Sequence, residues 1–402
     1  MINPYFIHGF SFLAVLVAYL LKWSNLYPDL GLTLLLFLII SIVVAILIGN
    51  YLMKYKIIEF NRLIYKEYYR WITYAILIGY FIEFLYHRNF PLLAIFTGNS
   101  LSYHEFGIPT FHVFLVTFNS FFSIFLFQVI LSEKEKRTKT IVLYILNLIP
   151  SLLIMNRGML VIIMMSCVFV YLIKYQHKIT LKKIAGLSLL LVVFLYFFGV
   201  VGNMRVNNSY NTNTSMFDNS LFLQIGGATD EFKDSIIPEE FFWPYIYISS
   251  PLANLQETIN NFEYENDITG SDTFVFSVTQ VLPDFISKRI VGSYEINIPN
   301  SLQITPELNV STAFAQSYVI LGWVGISLLI MFMFGFALFY ILLLKNLNSD
   351  YFIVGLAILN SIFVFNTFSN MFSFTGLSFQ LVYPLLFTLF SKKKPVTRGK
   401  VL

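Results

Sequence analysis

Three arginines in this 402-residue chain sit where a positive charge needs a partner. Arg157 interrupts the apolar stretch LLIMNRGMLVIIMM, Arg205 ends another in GVVGNMRVNN, and Arg289 follows Lys288 in ISKRIVG. A charge inside membrane hydrocarbon costs about 2.5 kcal/mol or more and usually marks a function. Because guanidinium groups form bidentate bonds with phosphate oxygens, we predict that Arg157, Arg205 and Arg289 bind a diphosphate. Each arginine also has a structural alternative. In these alternatives Arg157 anchors the end of a hairpin by extending its side chain to the membrane interface, Arg205 ends a span at the interface, and Arg289 is a solvated loop charge.

Transfer of a group onto a hydroxyl also needs a base that accepts the hydroxyl proton. The segment SLSYHEFGIPTFHV places His104 and Glu105 side by side, next to a Gly-Ile-Pro turn. Either of them is a candidate base. Asp272, in TGSDTF, is a rival for the same role.

Two other titratable groups lie inside or at the edge of apolar stretches and have plainer explanations. His112 is more simply a core histidine whose hydrogen bonds are satisfied. Glu83 lies near Arg88, and an internal ion pair between them accounts for it.

Several chemical motifs are missing from the sequence. It contains no DxD or HExxH pattern, no His/Cys cluster with metal-ligand spacing, and no Walker or Rossmann glycine loop. We therefore expect no metal and no nucleotide or other cofactor. No basic aromatic stripe is present, so we also expect no nucleic-acid partner.

The elements that position these residues are membrane-spanning helices. The chain is 57% apolar and 12% charged, and apolar windows of about 20 residues, long enough to cross a bilayer, recur along it. The first of them, residues 6–21, has no basic start and no cleavage site, so we interpret it as a retained span. We predict an all-α polytopic membrane protein with spans at 5–22, 29–53, 71–87, 109–131, 140–156, 158–173, 184–203, 313–344, 351–368 and 374–391.

The distribution of lysine and arginine orients these spans. Most of the 26 basic residues fall in one alternate set of connections, which the positive-inside rule places in the cytoplasm. Both termini are then cytoplasmic, and Arg157, Arg205 and Arg289 face outward. The fifth and sixth spans form a tight hairpin with Asn156-Arg157-Gly158 at its outer tip, where Gly158 permits a turn closed to other residues.

One outer segment is far longer than an ordinary loop. It divides the chain into spans one to seven (1–203), a large outer loop with short amphipathic helices (204–312), and spans eight to ten with a basic tail (313–402). The aromatic residues between 241 and 247 predict that part of this loop lies back on the membrane surface.

Four short stretches carry a resemblance to a known family. NRG at the hairpin tip, GNMR at the start of the large loop, YIYISSPLANL within it and NVSTAFAQSYVILGWVG entering the eighth span are similar to the Wzy-type O-antigen and polysaccharide polymerases. The resemblance extends over roughly residues 71–390. It implies a membrane glycosyltransferase fold of the GT-C-like type, with a helix bundle under an outer-loop cap.

The resemblance also implies an activity. Such enzymes polymerise undecaprenyl-diphosphate-linked oligosaccharide repeat units into O-antigen, capsule or exopolysaccharide at the outer face of the cytoplasmic membrane, without a cofactor. Arg157 and Arg205 match positions of the family's functional outer-loop arginines. Some members have an arginine followed, after ten intervening residues, by a glycine. This pattern does not occur after Arg157, Arg205 or Arg289.

Two other functions remain open. An O-antigen ligase has the same overall design but passes the glycan to a lipid A core or a protein. A flippase for lipid-linked oligosaccharides belongs to another class, and its charges should surround a central cavity rather than gather at one outer segment. The expected partners are the lipid-linked oligosaccharide as donor and acceptor, membrane lipids, a chain-length-regulating co-polymerase and a flippase.

Overall fold

The computed structural model describes residues 2–97, 106–176, 180–210, 215, 218–262, 268–294, 296 and 298–391. Within these residues the chain is built from helices, and the only extended pairing is an isolated bridge between Ser24 and Ala228. The all-α prediction is confirmed.

The first half of the chain forms eight helices, and most coincide with predicted spans. Their bounds are α1 Pro4–Leu20, α2 Leu32–Lys54, α3 Tyr68–His87, α4 Pro91–Thr97, α5 Phe111–Ser132, α6 Arg137–Leu153, α7 Arg157–Tyr175 and α8 Leu181–Ser209.

The second half begins with short helices and ends with three longer segments. Its helices are α9 Ser220–Ile225, α10 Asp230–Lys233, α11 Phe242–Asn261, α12 Gly270–Phe276, α13 Asp284–Ser293, α14 Ala315–Asn346, α15 Phe352–Phe365, α16 Thr375–Ser378 and α17 Val382–Ser391. Two 3₁₀ turns cover Glu239–Phe241 and Phe379–Leu381, and a π-helical turn covers Ser277–Val281.

Five helices of the described chain are long and apolar enough to cross a membrane, namely α2, α5, α7, most of α8, and α14. Shorter apolar helices accompany them at α1, α15 and α16–α17. Large apolar side chains also face outward from α2 and α8, such as Leu47 at 64% and Leu189 at 68% exposure. Water would penalise that surface whereas lipid does not, so the chain is a multi-pass membrane protein. The count of ten spans stays a prediction.

The centre of the bundle is formed by α5 and α15. Residues 352–363 of α15 are buried on every face, and α5 is largely enclosed between α6 and α7. Some polar groups inside the bundle are paired across helices, as for Ser166 with Ser361 at 2.8 Å and Asn147 with Thr73 at 3.0 Å. Such bonds matter because hydrocarbon offers no alternative partner.

The two ends of the bundle differ in character. At one end, which we call the basic end, Asn61 contacts both Gln128 and the backbone of Asp350, and Lys174 bonds the carbonyl of Leu131. This end joins the connections that carry most of the lysines and arginines.

At the opposite end, the start of α5, the start of α14 and the chain around residues 366–375 meet the segment 204–312. We call this the cap end. Hydrogen bonds tie these parts together, such as Ala313 N–H to Asn366 O at 2.9 Å and Asp284 N–H to Ser373 O at 2.7 Å. The two sets of connections thus lie at opposite ends, as the charge pattern predicts.

Helix α11 corrects the expectation that the aromatic residues of the large loop lie on the membrane surface. Phe242, Trp243 and Tyr245 are buried, packed with α9, α10 and α1 rather than exposed to lipid. Trp243 stacks on Phe222 with ring centroids 3.6 Å apart and donates its indole N–H to Asn203 at 2.6 Å. Tyr247 alone of the named aromatics on α11 stays exposed, at 43%. The helix is an internal element of the protein.

The hairpin of α6 and α7 is present, but its turn differs from the predicted one. The positive backbone angle belongs to Met155, with φ of 58°, whereas Gly158 lies in the first turn of α7. Asn156 caps that helix by accepting a hydrogen bond from the Met159 N–H at 3.0 Å. The interpretation of Gly158 as the turn residue is therefore wrong.

Candidate functional site

A polar cleft of about 430 Å³ opens at the cap end. It lies between the π-helical turn, the start of α13, the chain leading into α14 and the chain between α15 and α16. Amide and hydroxyl side chains dominate its lining: Gln280, Asn309, Gln316, Asn370, Ser301 and Ser369. Asp284 is the one ionisable side chain among the described residues that line it.

The cleft is braced by buried amides. Asn370 donates to the backbone carbonyl of Gln280 at 2.8 Å and to its side-chain oxygen at 3.3 Å, and Ser317 also donates to that oxygen. Gln280 lies in the π-helical turn, a feature that recurs at functional sites because it re-aims side chains. The bracing fixes one wall of the cleft.

Asp284 is positioned through the backbone of its helix. Pro283, two residues after the π-helical turn, is the N-cap of α13, so Asp284 is the first helical residue. Its N–H donates to Ser373 O at 2.7 Å, and the N–H of Phe285 donates to the hydroxyl of Thr375 at 2.9 Å. Two of the helix's free N–H groups are therefore used to attach α13 to the chain at the start of α16.

Burial raises the pKa of the Asp284 carboxyl, and the neighbouring Lys288 ammonium opposes that rise. Desolvation penalises the charged form of a carboxylate, while a nearby cation favours it. The group is thus a better proton acceptor than an exposed aspartate whenever it is ionised.

Arg289 lies on the next turn of α13, with an exposed side chain. Its guanidinium donates to the hydroxyl of Thr110 at 2.6 Å and lies 5.9 Å from the ring centroid of Phe285. Thr110 immediately precedes α5, so Arg289 connects α13 to the first turn of α5. Lys288, also exposed, precedes it.

A second pocket, of about 310 Å³, adjoins the cleft and contains Arg205. Its walls are largely apolar and aromatic, including Trp243 and Tyr247 of α11. The two cavities share Asn309 and Val310, which line both of them. The pocket of Arg205 and the cleft of Asp284 therefore adjoin at one short segment without regular secondary structure.

Arg157 is the first residue of α7, and its side chain is exposed. Two residues later, Met159 contacts Gln380 through its sulfur at 4.0 Å, and Gln380 also bonds Ser120 and the carbonyl of Gly376. The start of α7 is thus at the cap end. Arg157, Arg205 and Arg289 lie on three different helices with different neighbours.

Glu83 and His112 form a buried pair between α3 and α5. The Nδ1 atom of His112 lies 2.9 and 3.1 Å from the two carboxylate oxygens of Glu83, which is fully buried and also accepts from the Ile108 N–H at 3.2 Å. The expected pairing of Glu83 with Arg88 is therefore wrong. Gly107 allows this packing: its φ is 108°, and a Cβ there would lie 2.3 Å from the His112 ring.

Of the three residues predicted as the catalytic base, the structure describes Asp272. His104 and Glu105 lie outside the described residues. Asp272 is the acidic member of a capping box, accepting from the N–H of Thr269 at 3.0 Å and from its hydroxyl at 2.6 Å. These bonds lower the pKa of Asp272, which makes its carboxylate a weaker base. Its assignment as a base remains a prediction.

Sequence reasoning missed Asp284 and the amides around it. The local sequence LPDF resembles any helix start, with proline before an acidic first turn. The cleft depends on residues near positions 280, 316 and 370, whose proximity no local pattern reveals. Polar residues such as Asn370 within an apolar context were the available signal.

No group of three or more His, Cys, Asp or Glu side chains suited to a metal ion occurs in the part of the chain that the structure describes. The side chains at the cap end offer hydrogen bonds and positive charge, a combination that suits sugars and phosphates.

Comparison with known proteins places this chain in a family. The family model described as O-antigen polysaccharide polymerase Wzy matches residues 5–251, which include Arg157 and Arg205. No curated protein and no solved structure matches the chain. Because the family model covers more than half of the sequence, the chain belongs to the O-antigen polysaccharide polymerase Wzy family.

Proposed function

We propose that this protein polymerises undecaprenyl-diphosphate-linked oligosaccharide repeat units at the outer face of the cytoplasmic membrane. Membership of the family implies a glycosyltransferase-type polymerase that acts on a lipid-linked oligosaccharide in the membrane. The observation that carries the finer proposal is the cap end itself, where the polar cleft adjoins the pocket that contains Arg205.

The reaction needs no cofactor, because the diphosphate is already a good leaving group. As the bond from the anomeric carbon to the diphosphate breaks, negative charge develops on a phosphate oxygen. Fixed guanidinium groups stabilise that charge, which is a large term in many enzymes. We assign this role to Arg157, Arg205 and Arg289.

The geometry supports unequal roles for these arginines. Arg205 borders a pocket with aromatic walls, suited to sugar rings next to a diphosphate. Arg289 is held by Thr110 at the start of α5. Arg157 begins α7 at the same end of the bundle, although on another helix.

We further propose that the cap end faces outward and the basic end faces the cytoplasm, so that both termini are cytoplasmic. The excess of lysine and arginine at the basic end supports this orientation. The proposed architecture is a GT-C-like bundle of about ten spans, with 1–203 and 313–402 as membrane parts and 204–312 as the cap. A flippase and a chain-length-regulating co-polymerase are the proposed partners.

The experiment that tests the function uses purified full-length protein in lipid nanodiscs with a synthetic polyprenyl-diphosphate-linked repeat unit. A ladder of products longer than one unit supports the polymerase. Transfer of preformed polymer to a lipid A core or protein, without elongation, would instead identify an O-antigen ligase. Movement of the substrate across the bilayer without any new glycosidic bond would identify a flippase.

Arginine variants test the site within the same assay. Arg157→Ala and Arg205→Ala should each abolish polymer formation while the protein still inserts and purifies normally. Arg157→Lys should restore little activity, because an ammonium group cannot reproduce the planar guanidinium fork. Lys233→Ala, an exposed cation of the cap, is the matched control and should polymerise normally. Near-normal polymer from either arginine-to-alanine variant would remove that arginine from the mechanism.

A further inference from the structure

We propose that Asp284 is the catalytic base of the polymerase and that the polar cleft around it holds the acceptor sugar. This inference rests on the proposed function and names the acceptor side of the same site. It depends on the position of Asp284, on the lining of the cleft and on the cations that follow it in α13.

The lining of the cleft matches the chemistry of a sugar. A pyranose presents hydroxyl groups that both donate and accept hydrogen bonds, and side-chain amides and hydroxyls do the same. The cleft supplies amides from Asn309 and Gln316 and hydroxyls from Ser301 and Ser369, beside the fixed wall in which Asn370 and Gln280 bond each other. Its volume of about 430 Å³ lies within the range usual for small-molecule sites and is large enough for about one or two sugar rings.

Asp284 is the group in this cleft that can take a proton. It is the one ionisable residue among the described residues of the lining, and its carboxyl is half-buried. Backbone bonds to Ser373 and Thr375 fix the helix turn that carries it, so the carboxylate is positioned from two segments. Its burial also raises its pKa towards the range useful for a base.

Two other carboxylates near the cap end, those of Glu83 and Asp272, are less suited to this role. Glu83 is fully buried and bonded to His112 and to the Ile108 N–H, so no sugar reaches it. The carboxylate of Asp272 is used by the cap of α12. Asp284 combines access to a cavity with a fixed position.

The bond changes balance without any further reactant. The acceptor hydroxyl oxygen bonds to the anomeric carbon of the donor, and its proton passes to a carboxylate oxygen of Asp284. The bond between that carbon and the diphosphate oxygen breaks, and the electron pair stays on the diphosphate. The products are the extended glycan and polyprenyl diphosphate, and Asp284 then releases its proton to water.

Two cations follow Asp284 on α13. Lys288 is one turn after Asp284 on the same helix face, and Arg289 follows it. A diphosphate leaving group near these side chains would be adjacent to the sugar in the cleft. The arrangement places base and leaving-group cations on one short helix.

The test uses full-length protein in nanodiscs with the synthetic lipid-linked repeat unit, and measures kcat and the acceptor KM separately. Asp284→Asn preserves the shape of the side chain but removes the base, so kcat should fall by about 10²–10⁴-fold with little change in KM. Asp284→Glu, which keeps a carboxylate on a longer arm, should recover part of the rate. Asp234→Asn, on an exposed carboxylate of the cap, should behave as wild type.

The pH profile separates a base from a merely structural residue. The acid limb of kcat/KM in the wild type should be lost in Asp284→Asn, while thermal unfolding and gel-filtration behaviour stay unchanged. If the wild type polymerises and Asp284→Asn retains more than about a third of its kcat, Asp284 is not the base, although the polymerase function stands. If the wild type forms no polymer, the proposed function fails and this inference fails with it.

Discussion

Removal of the Glu83 carboxylate should strongly destabilise the cap end of the bundle. Glu83 is fully buried in α3, and it accepts hydrogen bonds from the His112 ring at 2.9 Å and from the Ile108 N–H at 3.2 Å. Glu83→Ala would leave both donors without this acceptor and would open a cavity beside them. Breaking a buried pair by deleting one partner costs about 3–5 kcal/mol of unfolding free energy. We expect a loss of that size.

The conservative variant should behave differently. Glu83→Gln keeps a carbonyl oxygen where the Ile108 N–H and His112 can still donate, so its cost should be about 1–3 kcal/mol. The expected order of stability is wild type, then Glu83→Gln, then Glu83→Ala. An exposed glutamate of the cap, Glu231, supplies the control, since its change to alanine should alter the free energy of unfolding by at most about 0.5 kcal/mol.

The assay is reversible unfolding in mixed detergent micelles, combined with a double-mutant cycle. His112→Ala should also destabilise the protein, and the double variant should cost less than the sum of the two single changes, because each single change strands the other partner. A coupling free energy of about 1–3 kcal/mol is expected for groups in direct contact. Additive effects, or a cost below about 1 kcal/mol for Glu83→Ala, would refute the buried pair.

Two further predictions test the cleft and the cap. Lys288→Met removes the cation that opposes the rise in the pKa of Asp284, so that pKa should rise further and the acid limb of polymerase activity should move to higher pH. Lys233→Met is the control, and the acid limb of its activity should stay at the same pH as in the wild type. Trp243→Ala should lower the free energy of unfolding by about 3–5 kcal/mol, because the ring stacks on Phe222 in the core of the cap. Thermal unfolding measures this loss, and an unchanged midpoint would contradict the buried placement of α11.

The helices of the bundle could be predicted because their signal is local. An apolar run of about 20 residues specifies a membrane helix by its length and composition, whatever packs against it. The predicted spans therefore coincide with helices such as α2, α5 and α7, and the hairpin of α6 and α7 follows from its short connection. The predicted spans also place the connections that are rich in lysine and arginine on one side of the bundle, and in the fold these connections lie at the basic end.

Features that depend on distant partners were not predictable in the same way. The aromatic residues of α11 match a membrane-surface helix as well as a buried one, and their burial depends in part on Trp23, which is distant in the sequence. Glu83 has Arg88 nearby in the sequence, yet its partner in the fold is His112. At the hairpin, Asn156 caps α7, so the left-handed position falls on Met155 instead of Gly158.

The cleft itself shows why its residues were missed. A few residues after Ala315 and Gln316, α14 contains a break, where Leu321 and Gly322 leave the helical region and Gly322 has φ of 57° and ψ of −143°. Glycine reaches that conformation at little cost, whereas a side chain would strain it. Close approach after the break also requires Gly325, since a Cβ there would lie 2.1 Å from the carbonyl oxygen of Ser317. The sequence of the segment LGWVG is typical of a membrane helix. In the fold, this segment separates the first turns of α14, with Ala315 and Gln316 at the cleft, from the long apolar part of the helix that follows. The break thus leaves the first turns of α14 beside the polar cleft, while the rest of the helix is apolar and suited to hydrocarbon, where each unpaired polar group costs several kcal/mol.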